Sequence, residues 1–373
     1  MTGRLFLLDN LRSTAIVLVI ALHAAMVYMA YAPTWWYVVD PDQSLLFTAL
    51  VLLLDVPIMP VLFFVAGFFA LQSLRKRGPA AFARDKVIRL GLPWAVGALL
   101  LAPLVTYMYY VSRGILRPFF DYWIHDFWGP FYQQSVYWYL GVLFALFLGL
   151  GLAYAVSGQV RGLRDVVTVP SGRFFLLVLV AIAVPALALS PLVPVYPVDA
   201  WRHAWVLVYQ PVRVPLYFGF FLLGIHARRS GWFTAGGYRP EPGPWGWGCV
   251  VIAIAYLAVR FQMPDPATTP PVVVVASIVL FCALSLTAVM AGAAIFLRAG
   301  TGAGRAWTAL AGNSYGIHYL HPLILFPLAW LLTSVALPGV LKWIGLVLAT
   351  VLISGAGSAL ILRRVPGLRA AFR

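Results

Sequence analysis

Charge is scarce in this chain of 373 residues. Asp, Glu, Lys and Arg together make up 10%, against about 25% in a soluble globular domain. Apolar residues make up 62%, and the mean hydropathy is +0.91. This composition excludes a water-soluble fold and predicts an all-α, polytopic membrane helix bundle. The length is used up by hydrophobic runs, so one transmembrane domain over 1–373 is expected, with no appended soluble domain. Cysteine is scarce too. Cys249 and Cys282 both lie in or beside hydrophobic runs, which excludes a secreted disulfide framework. Acidic residues number 11 against 26 basic ones, a formal charge of +15. The distribution of the basic residues accounts for that surplus, and no nucleic-acid partner is expected. A convincing small-residue cleavage site is missing after the first hydrophobic run, so that run is expected to be retained. Neither an internal repeat nor a low-complexity stretch is visible.

What is present is a series of apolar runs, each long enough for about 30 Å of hydrocarbon. Ten spans are predicted, at 13–31, 45–72, 90–111, 136–156, 174–193, 206–225, 245–261, 272–297, 311–337 and 343–362. Twenty of the 26 Lys and Arg then fall on the face that holds the N-terminus. Five fall on the other face (Arg113, Arg117, Arg202, Arg260 and Lys342), and Arg213 lies within a span. By the positive-inside rule both termini are expected in the cytoplasm. The opposite face carries Asp40, Asp42, Asp121, Asp126, Asp199 and Asp265 among many aromatics. Its longest loop, 112–135, contains RPFFDYWIHDFWGPFYQQ. That loop suits an interfacial aromatic belt or a short amphipathic helix. It also suits a sugar-stacking wall with His125, Asp126 and Asp121 as polar contacts.

Four elements carry chemistry. The first is Arg12, followed eleven residues later by His23. Eleven residues of helix rise about 16 Å, which sets Arg12 at a membrane surface and His23 about halfway across. An ionisable group at that depth marks a functional site, and histidine suits general-base work near neutral pH. Alone, such a histidine also fits packing or gating.

The second is Asp55, at similar depth on the next, antiparallel span. It can orient or charge-balance His23, or pair with Arg213, or cap the break made by Pro57. The third is the basic stretch Arg75-Lys76-Arg77, then Arg84, Lys86 and Arg89. Lys86 and Arg89 share a helix face at the mouth where Arg12 lies, and clustered cations there can hold phosphates. Topology signal or anionic-lipid contact explains Arg75 to Arg77 as well.

The fourth is Gly312-Asn313-Ser314-Tyr315-Gly316-Ile317-His318-Tyr319-Leu320-His321-Pro322. His318 and His321 face similarly at i,i+3. A metal would need a third ligand from another helix, and none is obvious, so cavity lining is expected and no metal.

These elements, in this order, resemble the membrane acyltransferase-3 family over nearly the whole chain. The match rests on LDNLR with His23 behind it, LFFVAGFF (62–69), the third-span basic motif ending Arg-Leu-Gly-Leu-Pro, GFFLLGI (219–225) and SYGIHYLHP (314–322). Within the family the chain looks most similar to the periplasmic-glucan succinyltransferases, the glucan biosynthesis protein C type, which share the RLGLP wording and the Tyr137-Trp138-Tyr139-Leu140 entry.

The resemblance implies an acyl-CoA donor, acetyl or succinyl, bound from the cytoplasm, and a glycan hydroxyl as acceptor on the far side of a bacterial inner membrane. It implies that His23 is essential and that Arg12 and Arg89 serve the donor. The family's Arg-x-x-Arg here reads Lys86-Val87-Ile88-Arg89. Lysine keeps the charge and loses the bidentate fork, so Arg84 is a candidate substitute. Tyr315, His318, His321 and Arg213 are expected to line the acceptor path or polarise the carbonyl. Membrane lipids are expected partners, and a homo-oligomer is compatible with the glycine content. The rival reading is a proton-coupled transporter of a sugar or small metabolite. Its relay would be His23, Asp55 and His321, and its expected mark is an inverted repeat.

Overall fold

A computed structural model describes residues 6–129, 132–190, 201–263, 269–299 and 304–372, without the side chains of Gln159 and Arg161. Arg4, Asp199, Asp265 and Arg373, counted in the charge argument, lie outside the described residues. The elements are helices almost throughout. They are α1 (Phe6–Ala25), α2 (Leu45–Arg77), α3 (Pro79–Ser112), α4 (Ser135–Val156) and α5 (Gly172–Leu189). A two-stranded antiparallel hairpin follows, β1 (Arg202–Ala204) and β2 (Leu207–Tyr209). Then come α6 (Val214–Arg229), α7 (Pro242–Arg260), α8 (Pro271–Ala299), α9 (Arg305–Leu332), α10 (Gly339–Leu362) and the short α11 (Pro366–Phe372).

Among the described residues nine helices are long and apolar enough to cross a membrane. This is an all-α, polytopic, multi-pass membrane protein. The predicted span at 206–225 differs. Its first residues enter the hairpin, where Arg202 faces Tyr209 across the ladder. Helix α6 begins only at Val214 and runs 16 residues. The apolar run crosses Pro211 and Pro215; Pro215 sits in the first turn of α6, where a missing N–H costs nothing. Periodicity alone does not register that boundary.

The third predicted span also starts earlier, because α3 carries Arg84, Lys86 and Arg89 on the same helix as the apolar run, while Arg75 to Arg77 close α2. It contains two π-turns, Val87–Gly91 and Gly97–Leu101, on either side of Pro93. Such widened turns often mark functional positions in helices.

The chain divides into two compact units. The first comprises Met1–Ala15, Val56–Arg84 and Ala145–Trp307. Its tightest crossing joins α2 to α6. A Cβ on Gly67 would collide with the Phe221 carbonyl, and one on Gly224 with the Phe64 carbonyl. Backbones approach this closely only through glycine, the usual device where helices associate without a hydrophobic drive. Gly67 and Gly224 belong to LFFVAGFF and GFFLLGI, so those two stretches are halves of one helix contact. Helices α5 and α7 expose Leu176, Leu177, Val180 and Val184, and Trp247, Val250, Val251 and Ile254. Apolar faces of that extent suit hydrocarbon and not water.

The second unit comprises Ile16–Asp55, Asp85–Phe144 and Thr308–Arg373. The segment between α1 and α2 is laced to the start of α10. Lys342 Nζ lies 2.9 Å from Asp40 Oδ2, with 4% and 0% of the two side chains exposed. The Gly339 N–H donates to Asp42 Oδ2 at 2.6 Å. Backbone bonds from Asp40 to the Val27 carbonyl and from Ser44 to the Tyr28 carbonyl, both 2.9 Å, fold the segment back on itself. Burial, reinforced by Asp40 and Asp42, pushes the Tyr28 phenol well above its ordinary range, so it stays neutral beside the two carboxylates.

Candidate active site

His23 stands in the last turn of α1, at the end of the apolar run 15–22 and just before the turn at 26–28. Its Nδ1 lies 3.0 Å from His321 Nε2 on α9. The two rings are nearly coplanar and meet edge to edge through this bond, with centroids 5.3 Å apart and planes 8° from parallel. His321 is fully buried, whereas His23 keeps part of its surface open. Trp36, from the laced segment, packs against His23 in a tilted contact, 5.8 Å between centroids. Trp36 in turn stacks on Tyr37 and meets Phe326 edge-on. Tyr37 donates to Gln133 Oε1 at 2.8 Å. The base candidate is therefore in contact with an imidazole and an indole, both held by their own neighbours.

His318, one turn before His321, packs edge-on against Tyr139. Its carbonyl oxygen lies 2.6 Å from His321 Nδ1. Both of its ring nitrogens are buried without a hydrogen-bond partner among the described residues. An unsatisfied buried polar group is costly, and this one lies one turn from His321, where a polar ligand group would satisfy it. Asp55 on α2 is close enough for its charge to act on the His23 ring.

The same unit holds the cationic cluster. Asp85 Oδ1 lies 3.1 Å from Arg89 Nε, and Asp85 Oδ2 lies 3.4 Å from Lys86 Nζ. The cluster thus carries a net charge of one, where the sequence reading counted two cations. The Arg89 guanidinium remains 44% exposed, open to a ligand. Tyr315 on α9 donates to the Arg89 carbonyl at 2.6 Å, and Tyr319 donates to the Pro93 carbonyl at 3.1 Å. Phe372 of α11 stacks on Tyr315. Six residues of α9 separate Tyr315 from His321, about 9 Å of rise. One helix therefore connects the cation cluster to the histidine pair.

Arg12, Arg84 and Arg213 belong to the first unit. Arg12 pairs with Asp9 at 3.4 Å, and Arg84 is exposed. Arg213 is buried, with its guanidinium over the Phe281 ring at 5.0 Å. His125 and Asp121 are exposed on the helical stretch 119–127. Asp126 is held bidentately by Arg117, at 2.8 and 3.0 Å. Both oxygens are thus engaged, which leaves little of that carboxylate for a substrate.

Two members of the site escaped sequence reasoning. Asp85 could have been found from its i,i+4 spacing to Arg89. Trp36 lies in a Trp-Trp-Tyr run thirteen residues beyond His23, and only that aromatic density signalled it. No group of three or more His, Cys, Asp or Glu among the described residues is arranged to hold a metal ion.

A family model described as an acyltransferase domain, that of the acyltransferase-3 family, matches residues 6–359. No curated protein and no solved structure matches the chain.

Proposed function

The chain belongs to the membrane acyltransferase-3 family, and from that premise we propose that it is an acyl-CoA-dependent O-acyltransferase of a bacterial inner membrane. The observation that carries this reading is the half-buried His23 on a spanning helix, hydrogen-bonded in plane to His321 and packed against Trp36. A single imidazole so held suits proton abstraction from a hydroxyl.

The reaction follows from that role. His23 takes the proton of an acceptor hydroxyl as its oxygen attacks the thioester carbonyl. The tetrahedral adduct collapses, the carbon–sulfur bond breaks, and the departing CoA sulfur takes the proton back from His23. Asp55 stabilises the imidazolium by its charge. Arg89 and Lys86 receive the donor's phosphates. The 20-to-5 distribution of basic residues supports cytoplasmic termini, and hence entry of the donor from the cytoplasm.

The acceptor in this reading is a glycan hydroxyl on the far side, and the acyl group is acetyl or succinyl, as in the glucan-modifying members of the family. Exposed Trp35, edge-on to Trp36, offers a face for a sugar ring.

Release of CoA by the purified protein in nanodiscs tests this. The donors are acetyl-CoA and succinyl-CoA, each with and without periplasmic glycans, beside His23→Ala. Glycan-stimulated release that disappears in His23→Ala is expected. Full transfer by a folded His23→Ala protein overturns the assignment of the base. Absence of both turnover and CoA-induced thermal stabilisation favours the transporter class.

A further inference from the structure

Helix α9 contains a proline immediately after His321. In an α-helix the N–H of residue 322 closes onto the carbonyl of residue 318. Pro322 has no N–H, so the His318 carbonyl is left without its helical partner. The structure gives it a different one: His321 Nδ1 at 2.6 Å.

A carbonyl oxygen only accepts, so the proton of that bond resides on His321 Nδ1. A neutral imidazole carries one N–H, which leaves His321 Nε2 as a lone pair. That lone pair lies 3.0 Å from His23 Nδ1. The bond between the rings therefore needs its proton on His23 Nδ1, and His23 Nε2 becomes the unprotonated nitrogen.

We infer that His321 is a positioning residue: through the carbonyl that Pro322 leaves open, it fixes the tautomer of His23 so that Nε2 is the nitrogen that accepts the substrate proton. This rests on the reading of His23 as the base. The chain of bonds runs in one direction, from His23 Nδ1–H to His321 Nε2, then from His321 Nδ1–H to the His318 oxygen. When His23 takes up a proton at Nε2, its Nδ1–H stays bonded to a neutral acceptor already in place. No heavy atom has to move. A carboxylate serves this orienting purpose in other hydrolytic and acyl-transfer sites. Here a neutral ring does so, and Asp55 acts through its charge.

The near-coplanarity of the rings, 8° between planes, is the geometry an in-plane N–H···N bond requires, and Trp36 packs on His23 at 5.8 Å between centroids. Ring reversal would present a C–H to His321 Nε2 and break the order of protons.

The test uses the full-length protein in lipid nanodiscs with isotope-labelled histidine. Nitrogen and carbon shifts of the imidazoles report which nitrogen carries the proton, and a spectrum of His23→Ala identifies the His23 signals among the six histidines. The wild-type protein is expected to show His23 protonated at Nδ1 and bare at Nε2. His321→Leu is expected to abolish that preference and to lower kcat about 100-fold, the upper range for a residue that orients a functional ligand, with KM for the acyl-CoA unchanged. His321→Gln, whose amide oxygen accepts from His23 Nδ1, is expected to regain part of both.

Pro322→Ala provides a variant that does not disturb the ring pair directly. It restores the helical N–H, competes for the His318 carbonyl and is expected to loosen the His23 tautomer while the helix gains stability. A wild-type His23 protonated at Nε2 overturns the inference, as does a tautomer unchanged by His321→Leu. Full transfer by His23→Ala instead removes the base assignment, and the spectra still decide where the proton resides.

Discussion

Tyr315 donates its hydroxyl to the carbonyl of Arg89, an oxygen that Pro93 leaves without its α-helical partner. The relationship recurs. His321 takes up the His318 carbonyl opened by Pro322, and Ser285 reaches the Val56 carbonyl opened by Pro60 at 3.4 Å. Prolines inside spanning helices are tolerated when side chains re-satisfy the freed oxygens. Two of these three repairs lie in the candidate site, so breaks in the helices supply its polar anchoring points.

Tyr315→Phe keeps the ring on Phe372 and removes the bond to Arg89. One net hydrogen bond is worth about 1 kcal/mol. KM for the acyl-CoA is expected to rise roughly five-fold, the equivalent of that energy, with little change in kcat. Initial rates of CoA release against donor concentration measure it. A loss confined to kcat would place Tyr315 in the chemistry instead.

Arg89→Ala is expected to raise KM for the acyl-CoA by about 10- to 100-fold, as loss of a charged hydrogen bond of about 1.5–3 kcal/mol predicts. The guanidinium is exposed, so added salt should weaken donor binding in the wild type and do so less in the variant. Donor titrations at low and high ionic strength decide between phosphate binding and a structural role.

The shared face of Lys86 and Arg89 was visible along one helix, while the partnering of both by Asp85 was not. The pairing of His23 with His321 was not, since it joins residues 298 positions apart and periodicity says nothing about which helices meet. Both histidines stood out as ionisable groups in apolar runs, but with separate roles. Asp40 and Lys342 were counted as two surface charges on the outer face, yet they bury each other. The helix inventory was legible because apolar runs of spanning length leave few alternatives. The hairpin before α6 was not, because an apolar stretch of that length is equally consistent with a strand or a helix turn.

Asp40→Asn leaves Lys342 as a buried charge without its counter-ion. A cost of about 3–5 kcal/mol is expected, read as a lower unfolding temperature in detergent. Asp40→Asn combined with Lys342→Met removes both charges and should recover much of the loss. If the double variant is no more stable than the single one, the ion pair is not the source of the effect.

Gly67→Ala and Gly224→Ala drive a methyl group into a backbone carbonyl across the α2–α6 crossing. Overpacking of this kind costs about 1–3 kcal/mol. Gly345, in α10, faces open space, and Gly345→Ala should be neutral or stabilising by up to about 1 kcal/mol through helix propensity. Thermal unfolding of the three proteins side by side separates close approach from a general effect of added methyls.

The tie between Asp40 and Lys342 spans 302 positions of chain. Because a protein is made from its N-terminus, the segment bearing Trp36 enters the membrane long before this tie exists. Until α10 emerges, Asp40 lacks the ammonium it faces in the finished protein, although Arg113, made earlier, already offers its guanidinium to the Trp36 carbonyl. The wall beside His23 is therefore fastened in two stages, the first from within the N-terminal third of the chain and the last only when Lys342 is in place.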